Sequence, residues 1–223
     1  GCGTGALSAA IIDHCAPASV TGVEPSAGFL DLAARALPND AVLRQGSAAS
    51  LPLADGAADV VVSGLVLNFV PDLPAALAEM IRITAPGGTI AGYVWDYAGG
   101  MELIRFFWEV AAELDAEAAK LHEGVRFPIC NPDALLEQFD EAGLPRPETT
   151  AIDIPTRFSD FEDYWSPFLG GQGPAPAYAM SLSNAARTRL RERLRDRLPS
   201  QPDGSIRLNA RAWAIRARHP DDA

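Results

Sequence analysis

Residues 1–8 read GCGTGALS, and this stretch decides the fold. Glycine permits the left-handed backbone of a tight turn, and its missing side chain lets main-chain amides approach a ligand at a helix N-terminus. The string fits G-x-G-x-x-[GA], a dinucleotide fingerprint, and fits G-x-G-x-G equally well. Loops of this kind follow a strand and open a helix. Here the helix is expected at residues 6–15, and no strand stands before Gly1.

Outward from the loop, strands and helices alternate. SVTGVE (19–24) reads as a short buried strand ending in an acid, and SAGFLDLAARAL (26–37) as a helix. That helix carries Phe29, Leu30, Ala33 and Leu37 at helical spacing, with Ser26 placed to cap it. AVLRQG (41–46) is a second strand, and the β-branched run within 57–69 holds a third, buried one. A helix over 72–84 is expected to stop at Pro86-Gly87-Gly88, before a strand at 89–95. This order implies a parallel sheet covered on both faces. Farther on, the pattern predicts helices at 101–121, 131–144 and 185–198, strands at 148–158 and 204–218, and an aromatic, Gly/Pro-rich loop or broken helix at 161–178. Asn131, Pro132 and Gly143 punctuate the second of those helices.

Composition bounds the setting. The chain has 223 residues, 48% of them hydrophobic, and a net charge of −11. It is long enough for one domain with elaborations. The acidic balance speaks against nucleic acid and anionic membranes as partners. Cys2, Cys15 and Cys130 are odd in number and widely spaced, so neither a disulfide framework nor a metal site is expected, and a cytoplasmic setting is. No apolar run approaches the roughly 18 residues of a membrane span.

Glu24 closes a strand 19 residues after Gly5, where a carboxylate can accept hydrogen bonds from both hydroxyls of an adenosine ribose. Glycine loop and acid together point to a nucleoside-bearing cofactor, leaving a nicotinamide dinucleotide and S-adenosyl-L-methionine both open. The downstream strings GSAASLPLADGAADVVVSGLVLNFVPD and EMIRITAPGGTIAGYVWD lie within residues 1–96. They resemble the class I S-adenosylmethionine-dependent methyltransferases of the small-molecule group, which carry G-D-A-x-x-L-P-F-x-D-x-x-F-D-x-V before the fourth strand and L-x-P-G-G before the fifth. The resemblance implies an α/β, doubly wound, mostly parallel seven-stranded sheet of Rossmann-like type with an antiparallel last strand. That strand, 205–217, is expected between 89–95 and 148–157. One domain over 1–223 is implied, with a cofactor-binding half at 1–96 and covering insertions over the acceptor site at 97–130 and 158–200.

Carried across residue by residue, Gly1, Gly3 and Gly5 lie beneath the methionine part of the cofactor and Glu24 holds the ribose. Pro25, Ser47 and Ala48 flank the adenine, and Gly64 and Leu65 lie near the methionine amino group. Ser47 stands where the family usually has Asp, which predicts a weaker adenine contact, and Thr84-Ala85 replaces the usual leucine-lysine. In this fold the first strand occupies the middle of the sheet and runs into the glycine loop. The reading therefore expects a fragment that lacks this strand. Strands 19–24 and 57–63 would then flank a slot or collapse onto each other, and the piece alone would be insoluble or unable to bind cofactor.

Methyl transfer from a sulfonium needs orientation more than a catalytic group, and a base only where the acceptor must lose a proton. Acceptor pockets in doubly wound folds lie beyond the strand C-termini. That nominates Asn68, Trp95, Asp96 and Tyr97, with His122 as a further candidate base. The aromatics Phe106, Phe107, Trp108, Tyr164, Trp165 and Phe168 either line an apolar acceptor site or form the core of a covering helix. The arginines between Arg187 and Arg197 read as a solvated face beside the apolar stripe Leu190, Leu194 and Leu198. Two rivals remain: a non-catalytic cofactor-binding relative and a nicotinamide-dependent oxidoreductase. The second lacks its Tyr-x-x-x-Lys pair, since the only lysine is Lys120 with no tyrosine four residues before it.

Overall fold

The computed structural model describes residues 1–170 and 173–220. The part of the aromatic loop at 171–172 lies outside the described residues. The chain divides into two compact units: Gly1–Val94 with Leu135–Thr150 and Ala214–Ala223, and Trp95–Ala134 with Ala151–Trp213.

The first unit opens with α1 (Ala6–Cys15), β1 (Thr21–Glu24), α2 (Ala27–Ala36), β2 (Val42–Gln45), β3 (Ala58–Gly64) and α3 (Leu73–Ile83), followed by β4 (Thr84–Trp95). β1 and β2 pair in parallel, Glu24 opposite Gln45. β3 and β4 also pair in parallel, Gly64 opposite Tyr93. The remaining strands are β5 (Glu148–Phe158) and β6 (Ile206–Arg218), and the larger sheet has the order β3-β4-β6-β5. β6 runs antiparallel to β4: the His219 amide donates to Gly88 O at 2.9 Å and the Asp96 amide to Arg211 O at 2.9 Å. The last strand thus sits between β4 and β5, as the sequence implies.

β1 and β3 belong to separate sheets, so they do not collapse onto each other. β3 is an edge strand, and its β-branched run is not the buried strand expected: Val60 and Val62 are 59% and 42% exposed. Two other expectations are corrected here. α3 ends before Pro86, at Thr84, whose backbone turns extended and whose hydroxyl donates to Met80 O at 2.7 Å. Pro86-Gly87-Gly88 falls inside β4, where a register shift separates the pairs of Ala58 and Val60, because a residue before proline is held extended. On α2, Ala33 and Leu37 are buried as the spacing predicts, while Phe29 is exposed.

The second unit contains α4 (Glu102–Leu114), α5 (Glu123–Arg126), α7 (Phe161–Trp165), α8 (Pro174–Ser181) and α9 (Asn184–Arg197), with α6 (Pro132–Glu141) starting in it. The single helix expected at 101–121 breaks at Asp115, whose carboxylate accepts from the Glu117 amide and opens a 3-10 run, Ala116–Leu121. The core joins Phe107, Trp108, Tyr164, Trp165, Phe168, Leu190 and Leu194, with Phe107 and Phe168 stacked at 4.5 Å. Leu198 completes the buried stripe of α9, and its arginines pair outward with Glu113 and Glu162.

Candidate functional site

The glycine loop folds as its residues require. Gly5 closes a turn by donating to Cys2 O at 2.9 Å and accepts the first bond of α1 from Ala9. Gly3 and Gly5 have φ of +55° and +90°, conformations that residues with a side chain rarely hold. The Cys2 amide donates to Val23 O at 2.8 Å, tying the loop to β1.

Glu24 is the hub. Its side chain is buried, yet both oxygens are engaged by backbone: Oε2 accepts from the Gly3 amide at 3.0 Å and Oε1 from the Ser26 amide at 3.2 Å. A Cβ on Gly1 would lie 3.3 Å from the same Oε2 and 3.3 Å from Val66. Gly1, Gly3, Glu24 and the turn after β3 are therefore brought together. Two lone-pair positions of the carboxylate remain for a ligand. At the same end of β1, Gly46 donates to Glu24 O at 3.2 Å, and Ser47, which follows it, is exposed with its carbonyl bound to the Ser50 amide. Pro25 is exposed, its carbonyl accepting from Gln45, and Ala48 is half-buried.

After β3 the chain bends sharply. Leu65 has φ +58° and donates to Tyr93 O at 2.8 Å. A Cβ on Gly64 would sit 2.5 Å from the Tyr93 hydroxyl, so the tyrosine ring would have to shift to admit one. Tyr93, held above the usual phenol pKa by burial, packs over this strand end, a contact that sequence reasoning missed. The parallel pairing of the two strand ends was the signal that could have found it. Asn68 follows in a 3-10 turn, and its buried amide nitrogen has no hydrogen-bond partner among the described residues. An unmet buried donor costs about 1–3 kcal/mol, so this nitrogen calls for a partner beyond the described residues.

The remaining candidates lie in the second unit. Trp95 is half-buried. Asp96 is buried with its oxygens accepting from the Gly99 and Gly100 amides, which makes it the anchor of that turn. Burial, aided by Cys130 and Glu123, pushes the Tyr97 phenol up to about 12, so it stays protonated at neutral pH. His122 caps α5: Nδ1 accepts from the Gly124 amide at 2.8 Å, and burial lowers its pKa. With that lone pair engaged, the neutral ring carries its proton on Nε2, which argues against a base role. Tyr164 is a core residue whose hydroxyl donates to Leu103 O, and Trp165 is 3% exposed. A buried acid that the sequence did not single out, Glu123, accepts from Trp108 Nε1 at 2.5 Å.

A family model described as a methyltransferase domain matches residues 1–92. Malonyl-(acyl-carrier protein) O-methyltransferase of Serratia marcescens is 33% identical over 135 residues, 55% of this chain and 52% of that protein. The chain thus spans about half the length of that relative. Demethylmenaquinone methyltransferase of Geobacillus kaustophilus is 32% identical over 161 residues, covering 64% of this chain and 68% of that protein. Among solved structures, phosphoethanolamine N-methyltransferase 2 of Haemonchus contortus in complex with S-adenosyl-L-methionine superimposes with a TM-score of 0.58 at 14% identity, over 99% of this chain and 47% of that one. Among the described residues no helix is long and apolar enough to cross a membrane.

Proposed function

The chain belongs to the class I S-adenosylmethionine-dependent methyltransferases, and from that premise we propose that it binds S-adenosyl-L-methionine at the glycine loop and transfers a methyl group to a small-molecule acceptor. The observation that carries the reading is Glu24. A buried carboxylate braced by the Gly3 and Ser26 amides keeps acceptor positions for two ribose hydroxyls and cannot swing away. The donor set fits the cofactor: a carboxylate for the ribose, glycine backbone for the methionine part, and open space around Gly3, where a Cβ would meet nothing within 4 Å. The unmet Asn68 nitrogen supplies a further donor for a ligand oxygen on the same unit.

When bound, the cofactor supplies a methyl group on a positive sulfur, already activated for in-line displacement. The protein's part is to hold and orient, which can account for much of the rate. A proton acceptor is required only for acceptors that ionise on attack, and none is assigned. The relative named for demethylmenaquinone supports a small-molecule acceptor. The domain reading is part of the same proposal: residues 1–96 hold the cofactor, and 97–130 and 158–200 cover the acceptor.

Calorimetry with S-adenosyl-L-methionine tests the assignment. Glu24→Ala should weaken binding roughly ten- to a hundredfold, on the scale of lost charged hydrogen bonds of about 1.5–3 kcal/mol. An unchanged dissociation constant in a folded variant refutes it. Turnover with labelled cofactor against a metabolite panel separates an enzyme from a non-catalytic relative.

A further inference from the structure

We infer that α7, the 3-10 turn Ser166–Leu169, α8 and α9 of the second unit line an open binding cleft for a small amphipathic anion, an apolar body bearing one carboxylate-like group. The cleft measures about 370 Å³ and is lined by Trp165, Leu169, Met180, Arg187, Thr188 and Arg191. This is the size of a small-molecule site. Its lining includes two open apolar side chains: Leu169 and Met180 are 46% and 47% exposed.

The charge at the rim supplies the other half of the chemistry. Arg187 and Arg191 stand four residues apart on one face of α9, and Thr188 lines the same cleft. Arg191 shares Glu162 with Arg195 and lies over the Phe161 ring at 5.4 Å. Arg187 is different. Its guanidinium reaches the Asn184 amide oxygen at 2.6 Å and the Met180 sulfur at 3.7 Å, and no carboxylate pairs with it among the described residues. A thioether is a weak acceptor that a ligand oxygen displaces readily, and the guanidinium fork matches a carboxylate in two-point fashion. Neither the glycine loop nor methyl transfer enters this inference.

The probe is 4-butylbenzoate, with 4-butylbenzyl alcohol as the neutral match in shape, titrated into the full chain by calorimetry and by tryptophan fluorescence. The carboxylate should bind saturably and at least tenfold more tightly than the alcohol, a preference that added salt reduces. Arg187→Gln should cut the preference to threefold or less while the alcohol's affinity is unchanged. Thr188→Trp, at an exposed helix position, should block both ligands with the melting temperature retained. Equal binding of acid and alcohol, a preference that survives Arg187→Gln, or non-saturable uptake each overturns the inference.

Discussion

Replacing Glu123 is the sharpest test of how the second unit is held together. Trp108 is 1% exposed, and its indole N–H has the Glu123 carboxylate at 2.5 Å as its partner. Glu123→Ala leaves that donor orphaned at about 1–3 kcal/mol and opens a small void, for a total of roughly 2–4 kcal/mol. At this chain length that lowers the melting temperature by roughly 4–16 °C. Glu123→Gln keeps an acceptor oxygen and removes only the titration. Burial raises the Glu123 pKa above the usual carboxylate range, against the opposing pull of Trp108 and Arg126. A raised folded pKa gives stability that is complete below the unfolded value of about 4.3 and is lost as pH rises through the folded value. Wild type should therefore lose ground to Glu123→Gln as pH rises above about 4. Urea unfolding followed by tryptophan emission across that range reads both effects. An alanine variant within about 0.5 kcal/mol of wild type, or parallel wild-type and Gln profiles, refutes the reasoning.

Two other outcomes are expected from the first unit. Gly5→Ala places a methyl 3.0 Å from Leu37 Cδ1 at a φ of +90°, so strain and overpacking together should cost roughly 2–4 kcal/mol in thermal unfolding; a loss under about 1 kcal/mol would contradict the left-handed turn. Glu79 is held down to about 2 by the Arg82 guanidinium and the Leu51 amide. Its stabilising effect is present above the unfolded value and disappears as pH falls through about 2, so wild type should lose more stability than Glu79→Gln on acidification from pH 5 to pH 2. Equal acid sensitivity in urea titrations would remove that ion pair from the account.

The sequence alone carried the parts of this protein governed by local rules. The glycine loop, the Ser26 and Asn131 caps, the apolar stripe of α9 and the acid that ends β1 are short-range patterns whose physics does not depend on the rest of the chain. Strand order, with β6 reversed beside β4, followed from resemblance and not from residues, because pairing between strands far apart in the chain leaves little trace in either one. Other features belong to tertiary structure only. Tyr93 lies over the end of β3 because Gly64 opposite it has no side chain, and Val60 is exposed because β3 lies at a sheet edge. Asp96, Tyr164 and His122 looked chemically able from the sequence, yet their polar atoms are engaged by the Gly99 amide, the Leu103 carbonyl and the Gly124 amide. Whether a polar side chain faces a ligand or a neighbouring backbone group is set by three-dimensional placement, since buried donors and acceptors must be satisfied by whatever the fold brings within 3 Å or so.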